Sequence, residues 1–340
     1  MKAAIVGVTG YTGLELVRLI QLHPVLEIGT LHSHSCHENS AAVYPHLQQL
    51  IDQPISPFDP QQIMAENELV FFATPAGISK ELVSSFVEHD FPVVDLSGDL
   101  RLKEGQMYQQ WYQQPPAADH LLQAATYALP EFQRAQGNLI ANPGCYATAA
   151  ILAAAPLVRS KWLAGIPIFD GKSGLSGAGK KLTETSHFVT ISENMRTYKL
   201  NQHQHIPEIL QQFQLWDPEL TAIQFSTSLI PVKRGIMMTL YVPVAPERTV
   251  EDIYHRYQEE YQGQPFIRLQ PLGKLPELRQ VLGTNFCDIG LALNPTTHIV
   301  TVIAVIDNLV KGAAGQAIQN VNKWAGLEET AGLRQIPWYP

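Results

Sequence analysis

An α/β fold is predicted by three features of the chain. Residues 3–8 form a continuous apolar strand that runs straight into the glycine turn Gly7-Val8-Thr9-Gly10-Tyr11-Thr12-Gly13, and a helix follows over 14–22, ended by Pro24. The strand-turn-helix rhythm then repeats as far as Leu96, and long apolar, β-branched runs fill 222–231, 235–244 and 288–306. Alternation of strand and helix builds a parallel sheet, whereas consecutive strands build a mixed or antiparallel one. The chain therefore reads as a Rossmann-type dinucleotide-binding domain joined to an α+β domain with a large mixed sheet. Its 340 residues exceed one ordinary core, and 45% hydrophobic residues can fill two.

In the first domain, the glycine turn brings backbone N–H groups and a helix N-terminus up to a pyrophosphate. Gly7, Thr9, Gly10, Tyr11, Thr12 and Gly13 are the expected cofactor contacts. The G-x-x-G-x-x-G spacing departs from the commoner G-x-G-x-x-G, and a tight turn without a ligand is the other reading. Residues 26–31 are the second strand. At its end, where a carboxylate normally holds the ribose 2′-hydroxyl, the chain has His32-Ser33-His34-Ser35. No acid there repels a 2′-phosphate, and Ser33 and Ser35 offer hydroxyls, which predicts NADP(H) over NAD.

A strand over 68–73, the turn Thr74-Pro75-Ala76-Gly77, a helix over 78–89 and a strand over 92–96 continue the rhythm. Each strand ends where a ligand lies in such folds, which makes Pro75 a cofactor candidate. In Asp95-Leu96-Ser97-Gly98-Asp99-Leu100-Arg101, the arginine either clamps a phosphate or carboxylate or makes an exposed ion pair. Residues 103–136, rich in Gln, Pro and aromatics, read as an irregular excursion over the surface.

The most informative stretch is Asn142-Pro143-Gly144-Cys145-Tyr146-Ala147-Thr148. It follows a short buried strand over 138–141, and an Ala-rich helix over 146–155 runs up to Pro156. Cys145 thus sits in the first turn of a helix, where unpaired N–H groups and the macrodipole stabilise a thiolate and lower its pKa below the free value of roughly 8.5. The same N–H groups can hold an oxyanion. A buried structural cysteine is the alternative.

Beyond it, a strand over 166–171 leads into Lys172-Ser173-Gly174-Leu175-Ser176-Gly177-Ala178-Gly179. Small residues there let backbone approach a ligand, and Ser176 and Gly177 are candidates for phosphate or nicotinamide contact, with a flexible turn as the other reading. Asn201-Gln202-His203-Gln204-His205-Ile206-Pro207-Glu208 precedes a helix with Pro207 near its start. A histidine near Cys145 can share its proton. In extended chain, His203 and His205 point to opposite sides, so one of them is expected to face the thiol. A helix over 249–261 opens with Thr249 and Asp252 in capping positions. The final segment, from Asp307-Asn308, opens a small-residue helix to Trp324 that is expected to return to the first domain with Asn308 near the nicotinamide amide. The expected division is 1–144 with 307–340 as the NADP-binding domain, and 145–306 as the catalytic and oligomerisation domain.

Composition narrows the partners. Lys and Arg number 23 against 31 Asp and Glu, a net charge of −8, with no basic run longer than two residues, so a nucleic-acid footprint is absent. The 3 cysteines form neither a disulfide framework nor a zinc pattern, and the 12 histidines lack metal spacing. No metal is expected, and the reducing cytoplasm is the expected location. No segment reaches the roughly 18 apolar residues of a membrane span, and the N-terminal apolar run, about six residues, is too short for a signal peptide.

These motifs, with Ser173 to Gly179, Pro231-Val232-Lys233-Arg234-Gly235 and Ile306 to Gly312, follow in one order along almost the whole chain. In this the sequence resembles the N-acetyl-gamma-glutamyl-phosphate reductase family, relatives of aspartate-semialdehyde dehydrogenase. The resemblance implies NADPH-dependent reduction of an acyl phosphate to a semialdehyde through a Cys145 thioester. It also implies that His203 is the acid/base, that His205 and Tyr198 line the site, that Arg101 faces the substrate phosphate, and that Ser173 lies near substrate or nicotinamide. A β-rich second domain suggests a homodimer or homotetramer. The rival readings are an aminoadipyl- or aspartyl-phosphate enzyme of the same architecture, and a catalytically silent NADP-binding regulator.

Overall fold

The computed structural model describes residues 1–338. Two compact units divide the chain: Met1–Pro143 with Ala313–Leu333, and Gly144–Gly312 with the chain from Arg334 onward. The segment 307–340, expected to go wholly to the first domain, is thus shared between the units. Asp307 and Asn308 stay with the second because their side chains accept the main-chain N–H groups of Gly283 and Gly235.

In the first unit, β1 (Lys2–Val6), β2 (Glu27–His32), β3 (Ile55–Ser56), β4 (Leu69–Phe72), β5 (Val93–Asp95), β6 (Thr126–Tyr127) and β7 (Leu139–Ala141) form one sheet in the order β3-β2-β1-β4-β5-β7-β6. Every pairing in it is parallel. The central strands β4 and β5 are buried throughout, which is why they read as unbroken apolar runs. Parallel strands place all their C-terminal ends on one edge, and there lie Gly7, Ser33, Pro75, Leu96 and Asn142. The helix Tyr11–Ile20 follows β1. The single helix expected over 78–89 is two short ones, Ser79–Leu82 and Ser84–Glu88.

Residues 103–136 are not a surface excursion. They hold the helices Gly105–Tyr112 and Asp119–Ala124, and Leu121, Leu122 and Ala125 join the core with Phe72 and Phe86. The glutamines occupy the outer faces and mask apolar positions one helical turn apart. The closing helix, Gly315–Trp324, belongs to this unit and meets it with buried amides rather than small side chains alone. Asn320 Nδ2 donates to the Ala128 carbonyl at 2.9 Å and to Asn142 Oδ1 at 3.1 Å, and Asn322 Oδ1 lies 2.9 Å from His23 Nε2.

In the second unit, β8 (Ile168–Ser173), β9 (Arg196–Tyr198), β10 (Gln224–Leu229), β11 (Ile236–Pro243), β12 (Ile267–Leu269), β13 (Cys287–Asn294) and β14 (Ile299–Ile306) form a mixed sheet, β12-β13-β14-β11-β8-β10-β9. The helix Cys145–Arg159 packs along β11 and β14 beside the helices His205–Trp216 and Val250–Glu260, the last capped reciprocally by Thr249 and Asp252. It continues through Pro156, where the sequence predicts its end. Proline removes the N–H that would serve the Leu152 carbonyl one turn earlier. The Tyr261 hydroxyl donates to that carbonyl instead, and the Tyr257 hydroxyl to that of Ala153.

Candidate functional site

The sheet edge of the first unit carries the expected cofactor residues. Gly7 has φ +88°, and a β-carbon there would stand 2.5 Å from the Ala73 carbonyl oxygen; one at Gly13 would stand 2.4 Å from that of Gly7. These two glycines bring the β1 turn, the β4 end and the helix into contact. Gly10 is the helix N-cap, and no side chain caps it. The first N–H groups of a helix have no intrahelical acceptor, so this end suits a phosphate. Thr9, Thr12 and the exposed Tyr11 flank it. Ser33 is buried, with its hydroxyl 3.2 Å from that of Thr9 and accepting the Ser35 N–H at 3.3 Å, whereas Ser35 is exposed. His32, between Pro57 and Thr30, is wholly buried, and burial pushes its pKa down.

Pro75 is exposed in the loop after β4, and Asp99 anchors that loop. The Asp99 carboxylate accepts the Gly77 N–H at 2.7 Å, the Tyr108 hydroxyl at 2.6 Å and the Ser79 hydroxyl at 3.1 Å. Asp95 lies in the same network through Ser97, and burial, with the Asp99 charge adding, pushes it up to about 6. Arg101 is buried, not in an exposed ion pair. It donates from Nε to the Asn142 carbonyl at 2.8 Å and from Nη2 to that of Leu96 at 2.9 Å, bracing the ends of β5 and β7.

In the second unit, Cys145 is half-buried and is the first residue of its helix, behind the N-cap Gly144. Glu208, 1% exposed, takes the Gly144 N–H at 2.7 Å. Gly312 packs directly on the cysteine: a β-carbon at Gly312 would come within 2.7 Å of Cys145 Cβ. Tyr146, the next residue, lies over Gly171 of β8, where a β-carbon would meet its ring at 2.6 Å.

Both histidines converge on Tyr146. Its ring is 5.3 Å from that of His203 and 6.3 Å from that of His205, and the imidazoles are 4.6 Å apart. The extended-chain expectation of opposite sides fails because Gln204 is helical, φ −60° and ψ −11°, and starts the next helix one residue early. His203 Nδ1 accepts the His205 main-chain N–H at 3.2 Å, which leaves the proton of the neutral ring on Nε2. Burial, then the positive charges of His205 and Lys199, push His203 down to about 2. Tyr198 donates to the Tyr146 hydroxyl at 3.4 Å. Burial pushes Tyr198 up to about 12 and Tyr146 higher still, and a negative charge on Cys145 acts on both in that direction.

Ser173 ends β8, buried, its hydroxyl donating to the Gly174 carbonyl at 2.9 Å. Ser176 is half-buried and Gly177 exposed. The Asn308 amide is engaged within the unit: Nδ2 donates to Ser176 Oγ at 2.9 Å, and Oδ1 accepts the Gly235 N–H at 2.7 Å. Sequence reasoning singled out neither Tyr146, Glu208 nor Gly312. Glu208 had a signal, a carboxylate in the first turn of a helix rich in apolar residues. Among the described residues no group of His, Cys, Asp and Glu is placed to hold a metal ion, and no helix is long and apolar enough to cross a membrane.

Residues 2–139 match the semialdehyde dehydrogenase NAD binding domain, and residues 145–308 the semialdehyde dehydrogenase dimerisation domain. The fold is shared with solved aspartate semialdehyde dehydrogenases: one from Vibrio cholerae covers 96% of this chain and 98% of its own at TM-score 0.67 and 16% identity. One with NADP from Candida albicans covers 95% and 98% at TM-score 0.67 and 17% identity. Curated proteins named N-acetyl-gamma-glutamyl-phosphate reductase are similar over 100% of both chains, at 51% identity in Streptococcus sanguinis and 48% in Listeria monocytogenes and Bacillus cereus. With a cysteine at the start of a helix, two histidines gathered on the tyrosine that follows it and relatives that align from end to end, the chain belongs to the N-acetyl-gamma-glutamyl-phosphate reductase family.

Proposed function

We propose that the chain reduces N-acetyl-L-glutamyl 5-phosphate to N-acetyl-L-glutamate 5-semialdehyde with NADPH, releasing phosphate, as a step of arginine biosynthesis in the cytoplasm. The carrying observation is Cys145 as the first residue of a helix whose N-cap N–H is held by Glu208, next to the tyrosine on which His203 and His205 converge. The relatives' shared name selects the substrate.

The Cys145 thiolate attacks the acyl carbon, the bond from that carbon to the phosphate oxygen breaks, and phosphate leaves with the electron pair. First-turn N–H groups of the cysteine's helix hold the oxyanion. Bound NADPH supplies the hydride that reduces the thioester carbonyl. His203, the acid/base residue, carries its proton on Nε2 and hydrogen-bonds through it to the alkoxide oxygen that hydride addition creates; as that oxygen re-forms the carbonyl the carbon–sulfur bond breaks with its electron pair on sulfur, restoring the thiolate and freeing the aldehyde. Tyr198, His205 and Ser173 line the site, and Arg101 contacts the leaving phosphate. NADPH would be held in the first unit by the uncapped helix end at Gly10 with Tyr11, Thr12, Gly13 and Pro75 for its phosphates and Ser35 for the 2′-phosphate, and in the second by Ser176, Gly177 and Asn308 for the nicotinamide. The second unit assembles the chain as a homodimer or homotetramer.

The test is phosphate-dependent NADP⁺ reduction with the semialdehydes of N-acetylglutamate, N-acetylaminoadipate and aspartate in parallel. Preference for the first supports the reading, and preference for either of the others overturns the substrate. Cys145→Ala is expected to lower kcat at least about a thousandfold; unchanged turnover would make the chain a regulator.

A further inference from the structure

The chain's last described residues are built onto the second unit opposite a hub that the reaction scheme leaves without a role. Trp338 donates its main-chain N–H to the Leu282 carbonyl at 3.1 Å. Its ring lies over the bare Cα of Gly283, where a β-carbon would meet it at 2.6 Å, and 5.0 Å from the Arg234 guanidinium carbon. Arg234 in turn donates to Asp307 Oδ2 at 3.2 Å.

Asp307 is wholly buried and fully used. Its carboxylate also accepts the N–H groups of Gly283 at 2.8 Å, Leu309 at 2.8 Å and Val310 at 3.2 Å, and its carbonyl accepts that of Gly312 at 2.9 Å. Gly312 is the residue pressed against Cys145. The Arg234 turn reaches the serine loop too: the Gly174, Leu175 and Ser176 N–H groups donate to the carbonyls of Gly235 at 2.8 Å, Val232 at 2.9 Å and Lys233 at 3.0 Å. One guanidinium therefore sits between the support of the nucleophile and the support of Ser173 and Ser176. A planar guanidinium stacks on an aromatic face and keeps its edge donors for a carboxylate.

We propose that Trp338 is a positioning residue: stacked on Arg234, it holds the guanidinium on Asp307 and so keeps Gly312 under Cys145 and the loop after Ser173 in working geometry. The inference rests on Cys145 being the nucleophile of the proposed reaction, and turnover of Cys145→Ala tests that part separately.

The experiment uses the full chain with Trp338→Ala, Trp338→Phe, Arg234→Lys and the Ala/Lys double variant. Readouts are kcat, KM for NADP⁺, circular dichroism, and iodoacetamide alkylation of Cys145 located by peptide mass, which needs no substrate. Trp338→Ala is expected to lower kcat about tenfold or more and to slow alkylation, with a smaller rise in KM for NADP⁺. Trp338→Phe restores most of both, and the double variant loses less than the product of the single losses. Wild-type kcat and alkylation in Trp338→Ala, or fully multiplicative losses in the double variant, overturn the proposal. Should Trp338→Ala not fold, Arg234→Lys, which keeps the charge and loses the planar stack, reads the same clamp: unchanged kcat and alkylation in it are equally fatal.

Discussion

The main-chain N–H of Gly144 donates to Glu208 Oε1 at 2.7 Å, and through that one bond the helix His205–Trp216 holds the residue preceding Cys145. The sequence neighbours His205 and Glu208 thus reach the cysteine by different routes: the imidazole through Tyr146, the carboxylate through the N-cap.

Truncating Glu208 leaves a buried N–H without its acceptor. Glu208→Ala is expected to cost about 1–3 kcal/mol, and Glu208→Gln, which keeps a carbonyl oxygen there, markedly less. Urea midpoints of the two variants check the ordering, and equal losses would remove the N-cap bond as the cause.

Tyr261→Phe strands the Leu152 carbonyl that Pro156 cannot serve. A loss of about 1–3 kcal/mol is expected in the native background. In a Pro156→Ala background, where a main-chain N–H returns, the same change is expected to cost less, and thermal unfolding of the four proteins closes the cycle.

Two buried groups give the stability profile opposite slopes. His203 is depressed to about 2, so between there and 6.5 the unfolded chain binds a proton that the folded chain refuses; its contribution is present above 6.5 and lost as pH falls. Asp95 is raised from 3.8 to about 6, so the folded chain holds the extra proton in that window, and its contribution fades as pH rises through it. Relative to wild type, His203→Gln is expected to gain stability on acidification below 6.5, and Asp95→Asn to lose it between 6 and 3.8. Each slope is at most about 1.4 kcal/mol per pH unit. Denaturant midpoints against pH check both signs.

Ser35→Asp places a carboxylate at an exposed position just past β2. KM for NADPH is expected to rise about tenfold or more with KM for NADH changed far less, because only the former carries the 2′-phosphate that the new charge repels. Steady-state kinetics with both cofactors decide it.

What could be read in the chain follows local physics. The apolar runs of β1, β4 and β5, the glycine turn at Gly7 and Gly13, and the proline-glycine break before Cys145 each act over a few neighbouring residues, so periodicity and backbone freedom reveal them. Reading failed where a distant partner overrides local preference. Pro156 stays helical because Tyr261 supplies a hydroxyl, and the Gln-rich stretch after Lys103 folds because Leu121 and Leu122 find a core set by Phe72 and Phe86.

By itself, then, the sequence determined the α/β class, the cysteine at a helix start and the order of motifs that marks the family, since each is written in contiguous residues. Only the tertiary structure decided that both His203 and His205 gather on Tyr146, that Glu208 secures Gly144, and that Gly312 lies against Cys145. Those contacts join segments tens of residues or more apart along the chain. Their distances are set by the packing of helices on the sheet, which no local pattern of side chains encodes.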